Sequence, residues 1–264
     1  MCPGHGAGLL TCRLTSVGER CAHIPTMGMV LAAGLGLRMR PLTERIPKPM
    51  VTVNGRTLID RALDLMQSAG VQRVVVNTAY LAEVLESHLA ARIGPDIVLS
   101  REEKPLETGG GIRRALPHFD GKMFVAVNSD ALVIDGAIPA IHRLATQWDE
   151  RRMDALLLLL PVEKALGYEG PGDFFLEENG MLRRRGQATH APYVFTGMQL
   201  LHPRLFEAAP DGAFSMNLLY DRRIDAQGRL PNIFGLVHDG AWLHVGDMPG
   251  LMAAEQFLRK PDTN

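Results

Sequence analysis

Apolar positions along this chain recur in two rhythms that alternate. An unbroken apolar run from Met29 to Ala33 stops at Gly34 and reads as a buried strand entering a tight turn. Leu58, Ile59, Ala62, Leu63, Met66 and Ala69 then recur at helical spacing, and Gly70 ends that helix before Val74, Val75 and Val76 begin a strand. A helix around Leu81 to Ala91, a strand at Ile97 to Leu99, a helix carrying Ile112, Ala115, Leu116 and Phe119, and a strand from Met123 to Val127 continue the alternation. Further on, Asp154 to Pro161 reads as a central strand, Gly172, Asp173 and Phe174 open a hairpin around Asn179 and Gly180, and Pro192 to Met198 is another strand. Ile233 to His238 and Ala241 to Val245 read as strands joined in a hairpin by Asp239 and Gly240, followed by a helix with Leu251, Met252, Glu255 and Leu258. Strands that are apolar throughout, rather than at alternate positions, are buried on both faces. The predicted fold is therefore α/β, a three-layer α/β/α sandwich around a mainly parallel mixed sheet.

Composition narrows the function classes. The 264 residues suffice for one large domain with a substantial core. A net charge of −1 gives no electrostatic reason to expect a nucleic-acid or membrane partner, and no apolar run approaches the roughly 20 residues of a spanning helix. Residues 1–26 lack sustained periodicity and contain every cysteine, Cys2, Cys12 and Cys21, at spacings that match no standard zinc pattern. They are expected to be a disordered extension, with 27–264 a single domain in two halves, about 27–135 and about 136–264. A region free of cysteine suits a cytoplasmic location.

The chemistry concentrates between Met29 and Met50. A backbone that approaches a ligand closely needs residues without a Cβ, and Gly34 and Gly36 supply them where the strand ends. A Walker A loop needs Gly-Lys-Ser/Thr here and the dinucleotide fingerprint needs a third glycine where Met39 stands, so both fail. What remains is Arg38 and, within Pro47-Lys48-Pro49-Met50, a lysine whose flanking prolines exclude regular helix and stiffen its backbone. Spaced cations on a rigid loop suit a polyphosphate; the plain alternative is a solvated surface. Asn77 and Asn128-Ser129-Asp130 fall at the carboxyl ends of other strands, where such sheets bind ligands. In Leu106-Glu107-Thr108-Gly109-Gly110-Gly111, the glycines either make a sharp turn or let a planar base lie against Gly109 and Gly110. Asp173 and the Thr196-Gly197 pair are candidates to hold sugar hydroxyls, or else a turn former and a strand-end bulge.

Leu31-Ala-Ala-Gly-x-Gly-x-Arg-Met-x-Pro-Leu-Thr with Pro47-Lys-Pro-Met resembles the signature of the sugar-1-phosphate nucleotidyltransferases, over nearly the whole chain from about residue 27 to 260. The Leu-Glu-Thr-Gly-Gly-Gly loop looks most like the short uridylyltransferases acting on N-acetylmuramate 1-phosphate. The resemblance implies a Rossmann-like nucleotidyltransferase fold (GT-A-like) and in-line attack of a sugar 1-phosphate on the α-phosphorus of an NTP, UTP favoured, by a monomer or homodimer. It assigns the nucleotide to Ala33, Gly34, Gly36, Leu37, Arg38, Lys48, Asn77, Gly109, Gly110 and Asn128, with Arg38 on the triphosphate and Lys48 where the reacting phosphates meet. Asp130 carries the catalytic Mg2+ (or Mn2+) in this reading, and Asp173 binds the sugar. The chain departs from the family at Trp242-Leu-His244-Val-Gly246-Asp247, where a metal-binding aspartate is replaced by His244. His244 is then a metal ligand, a partner through water, or a structural residue, with Asp247 as an alternative carboxylate. Mannose-1-phosphate guanylyltransferase, glucose-1-phosphate uridylyl- or thymidylyltransferase, a glycosyltransferase and an inactive nucleotide-sugar-binding regulator are the competing readings.

Overall fold

A computed structural model describes residues 23–222 and 224–259, so the expectation for the extension falls largely outside the described residues. The first half contains β1 (Met27–Leu31), β2 (Thr52–Val53), β3 (Arg56–Thr57), α1 (Leu58–Ser68), β4 (Arg73–Thr78), α2 (Ala82–Ala90), β5 (Asp96–Arg101), α3 (Glu107–Ala115), β6 (Phe124–Asn128) and β7 (Ala131–Ile134). The second contains α4 (Ala140–Gln147), β8 (Ala155–Pro161), β9 (Phe174–Leu176), β10 (Met181–Arg184), β11 (Tyr193–Leu201), α5 (Met216–Asp221), β12 (Arg229–Val237), β13 (Ala241–His244) and α6 (Met248–Arg259). One nine-stranded sheet in the order β5-β4-β1-β6-β11-β8-β12-β10-β9 runs through both halves. Its first four strands are parallel, β11 enters antiparallel, and β12 returns parallel to β8.

Each central strand divides its side chains between two cores, as doubly buried strands must. Val30, Val76, Val127 and Leu158 pack with α1, α2 and α4 on one face, while Met29, Val75, Ala126 and Leu157 pack with α3 and α5 on the other. Amphipathic helix faces close these layers: in α1 the buried positions are Leu58, Ile59, Ala62, Leu63 and Met66, and Thr57 caps its start by accepting from the Asp60 N–H at 3.1 Å. A third, smaller core joins Met39, Val51, Leu132, Leu243 and Leu251 beneath the two-stranded sheet of β7 and β13. No helix among the described residues is long and apolar enough to cross a membrane.

The hairpin at Asn179 and Gly180 forms, with β9 and β10 antiparallel. The one expected at Asp239 and Gly240 does not. β12 is flanked on both sides by β8 and β10, and β13 leaves the main sheet to pair with β7 instead. The turn there has a packing purpose, because a Cβ on Gly240 would overlap the Ile134 carbonyl. Its consequence is functional: β13 brings His244 opposite Ala131, beside Asp130.

Candidate active site

The carboxyl ends of β1, β4 and β6 open onto a cleft of about 450 Å³, where the sheet order switches direction around β1. Leu31 and Asn128 end β1 and β6, Asn77 is the next-to-last residue of β4, and Ala33, Gly34, Gly36, Leu37, Arg38, Lys48 and Asp130 line the same cleft. Residues 82 positions apart are thereby in contact: Lys48 Nζ donates to Asp130 Oδ2 at 2.6 Å.

The two glycines of the turn are glycine for different reasons. Gly36 has φ 62°, and a Cβ there would lie 3.0 Å from Thr43 Cγ2 and 3.1 Å from Lys48 Cβ. The Thr43 hydroxyl donates to the Gly36 carbonyl at 2.7 Å, which locks this left-handed step. Gly34 has no such backbone requirement, and no protein atom lies within 4 Å of where its Cβ would be. Its side-chain space belongs to the cleft.

Lys48 is 8 % exposed and sits in a single 3-10 turn, Lys48–Met50, as its flanking prolines dictate. The sequence presented it as a free cation; the structure shows it already paired. Burial opposes ionisation of Asp130, but the charge and hydrogen bond of Lys48, helped by His244, hold this carboxyl below the ordinary carboxylate range. Arg38 is exposed and makes no hydrogen bond or ion pair among the described residues. Gly246 completes the wall: a Cβ there would overlap His244 Nε2 and lie 3.0 Å from Arg38 Nη2. His244 is anchored by its N–H to the Leu166 carbonyl at 2.9 Å and stacks on Trp242, centroids 5.7 Å apart. Burial lowers its pKa most; Asp130 opposes this, Lys48 and Arg38 add to it, and Asp247 opposes it. The ring is thus neutral near pH 7 and keeps a lone pair.

These groups suit a divalent cation of modest protein ligation. Asp130 offers carboxylate oxygen and His244 imidazole nitrogen, and no group of three or more His, Cys, Asp or Glu able to hold a metal occurs among the described residues. A magnesium ion held by one or two protein ligands and completed by phosphate and water fits such a donor set. Asp247 has another task. Its Oδ1 accepts from the Gly250 N–H at 2.9 Å at the start of α6, as a helix cap does.

The other expected residues take the following places. Gly109 and Gly110 do not line the cleft: both amides donate to the Phe214 carbonyl, at 2.8 and 3.1 Å, and their missing Cβ atoms make room for the Phe214 ring and the Gly212 carbonyl. Their missing side chains let α3 pack against the 212–216 segment. Pro105, Glu107 and Thr108 line the cleft there instead, with Glu107 at φ 59°. The one sequence signal for them was their place immediately before the glycine run. Asn77 borders the cleft but is 2 % exposed, and its amide is spent on the Ala32 N–H and Glu102. Thr196 is 0 % exposed and its hydroxyl donates to the Leu158 carbonyl at 2.9 Å, so it holds β11 to β8. Gly197, φ 85°, is the strand bulge, packed on Asn128. Asp173 lies outside the cleft, half-buried, with Oδ2 accepting from the Phe195 N–H at 2.9 Å.

Known proteins share this arrangement. Residues 27–169 match the family described as Nucleotidyl transferase. N-acetylmuramate alpha-1-phosphate uridylyltransferase of Caulobacter vibrioides is 43 % identical over 90 % of this chain and 98 % of its own length. The enzyme of the same name from Neisseria meningitidis serogroup B is 34 % identical over 86 % of this chain and 96 % of its own. The crystal structure of HddC from Yersinia pseudotuberculosis complexed with GMP-PN superposes with a TM-score of 0.71 at 19 % identity, covering 88 % of this chain and 99 % of that one, a likeness of fold. A glycine turn, a lysine and an aspartate converging at the switch point of such a sheet, together with relatives alike over nearly their whole length, place this chain in the nucleotidyl transferase family, among the sugar-1-phosphate nucleotidyltransferases.

Proposed function

We propose that this chain makes UDP-N-acetylmuramate and pyrophosphate from UTP and N-acetylmuramate 1-phosphate, a cytoplasmic reaction of cell-wall recycling. The observation that carries the reaction type is the contact of Lys48 with Asp130 at the floor of a cleft whose rim holds Gly34 and the unpaired Arg38. Two near-full-length relatives bearing the same uridylyltransferase name support the choice of substrate.

The sugar phosphate is already an anionic nucleophile, so the reaction needs no general base and no covalent enzyme intermediate. Its oxygen forms a bond to the α-phosphorus of UTP as the bond from that phosphorus to the bridging oxygen breaks and pyrophosphate leaves in line. The difficulty is bringing two polyanions together. Arg38 and the backbone around Gly34 and Gly36 hold the triphosphate and offset charge growing on the leaving group. Lys48 lies deeper, where the two reacting phosphates meet, and Asp130 keeps its ammonium aimed. Asp130, with His244 beside it, would hold Mg2+ or Mn2+, which supplies further neutralisation of phosphate charge when bound.

The test is a matrix of UTP, GTP and dTTP against the 1-phosphates of N-acetylmuramate, mannose, glucose and glycero-manno-heptose, read by pyrophosphate release. Fastest turnover with UTP and N-acetylmuramate 1-phosphate is expected. A clear preference for GTP with a manno-configured sugar would replace this substrate assignment with that of a guanylyltransferase, and no release with any pair would sink the enzymatic reading.

A further inference from the structure

Glu102, just beyond β5, is 3 % exposed and points into the protein rather than into the cleft. Its Oε1 accepts from Asn77 Nδ2 at 2.8 Å, and its Oε2 accepts from the Leu106 N–H at 2.8 Å. Asn77 Oδ1 in turn accepts from the Ala32 N–H at 2.8 Å. These bonds form one chain across the ends of β1, β4 and β5, from the residue two before Gly34 to the residue that precedes α3. Gly111 makes room for it, since a Cβ there would sit 2.8 Å from Asn77 Nδ2 and 2.9 Å from Glu102 Oε1.

Donor and acceptor accounting dictates the residue type. The Ala32 N–H demands an acceptor, so the Asn77 amide must turn its oxygen toward Ala32 and its NH2 toward position 102. The Leu106 N–H is also a donor, and position 102 must therefore accept on both of its terminal atoms, which a carboxylate does and a glutamine, with one of them an NH2, does not. Burying a carboxylate costs free energy that an apolar side chain would avoid, so the network has a purpose other than bulk stability. Its two ends adjoin two separate stretches that line the cleft: Ala33 and Gly34 follow Ala32, while Pro105 and Glu107 flank Leu106.

We propose that Glu102 is a positioning residue for the nucleotide, fixing the separation of the phosphate-side turn from the 105–108 loop. It builds on the nucleotidyltransferase reading above. A nucleotide held by both loops loses affinity and selectivity when they drift relative to one another, because misplacement of about 1 Å suffices to cost up to about a hundredfold.

The experiment measures KM for NTP and for sugar 1-phosphate separately in the wild type, Glu102→Gln and the double variant Asn77→Asp/Glu102→Gln, alongside thermal melting. The double variant restores every bond with the carboxylate moved one place along the chain: the introduced aspartate accepts from the Ala32 N–H and from the glutamine NH2, and the glutamine carbonyl accepts from the Leu106 N–H. Glu102→Gln is expected to raise the NTP KM about tenfold and narrow the preference among NTPs, with the sugar KM within about twofold, and the double variant to bring the NTP KM back within about threefold. An unchanged NTP KM and NTP preference in Glu102→Gln, or equal rises in both KM values, overturns the proposal. If the single variant does not fold, a folded double variant with a wild-type NTP KM supports it and one with a raised NTP KM overturns it. Should the wild type release no pyrophosphate, the reaction assignment fails, and calorimetric binding of UTP to the wild type and these variants still reads Glu102 by the same criteria.

Discussion

Gly34 and Gly36 stand two residues apart in one turn, and replacing each with alanine separates backbone demand from ligand demand. At Gly34 the backbone is outside the left-handed region and an added methyl meets no protein atom within 4 Å. Gly34→Ala therefore loses no native contact and restricts the unfolded chain, an expected gain of about 0.4–1 kcal/mol. For a chain of this size that raises Tm by about 1–3 °C. The methyl enters the cleft where the phosphate chain approaches, so the NTP KM is expected to rise at least about tenfold, equivalent to about 1.4 kcal/mol of lost binding. Gly36→Ala does the reverse to the fold: φ 62° puts the methyl 3.0 Å from Thr43 and 3.1 Å from the Lys48 side chain. A left-handed step costs a residue with a Cβ about 1–2 kcal/mol, lowering Tm by about 4 °C, and the push on Lys48 reduces kcat as well. Differential scanning fluorimetry with UTP titrations by pyrophosphate release reads both variants. A destabilised Gly34→Ala, or one with a wild-type NTP KM, would refute the assignment of that space to the ligand.

Lys48→Ala and Asp130→Ala are each expected to lower kcat about 10²-fold to 10³-fold while circular dichroism stays native, and near-normal pyrophosphate release from either would sink the roles given to them. His244→Asp should shift the metal preference from manganese toward magnesium, checked by activity profiles and by metal affinity from calorimetry; an identical profile would show that His244 is not a ligand. Thr196→Val removes a buried hydroxyl from the Leu158 carbonyl, so a loss of about 1 kcal/mol in denaturant melts is expected with the sugar KM unchanged. A raised sugar KM in that variant would return Thr196 to the substrate site.

The order of strands and helices was legible because burial on two faces leaves continuous apolar strands and burial on one leaves a helical stripe, both local patterns. That Gly34, Arg38, Lys48 and Asp130 belong to one cleft was legible for a related reason: a strand end, a residue lacking Cβ and isolated cations are properties of short segments. Wherever the sequence reading went astray, the deciding partner was remote. Asp239 and Gly240 have hairpin chemistry, yet β12 already had neighbours on both edges and β13 found β7, more than a hundred residues earlier. Gly109 and Gly110 signalled close approach correctly, but what approaches is Phe214 and Gly212. The Thr196 hydroxyl, a candidate sugar contact in the sequence, bonds to β8. By itself the sequence determined the sheet architecture and the glycine turn with its cations, since periodicity and missing side chains act over a few residues. Only the tertiary structure decided which polar groups remain free for substrate, because hydrogen-bond partners are settled by segments that meet in space and carry no mark of each other along the chain.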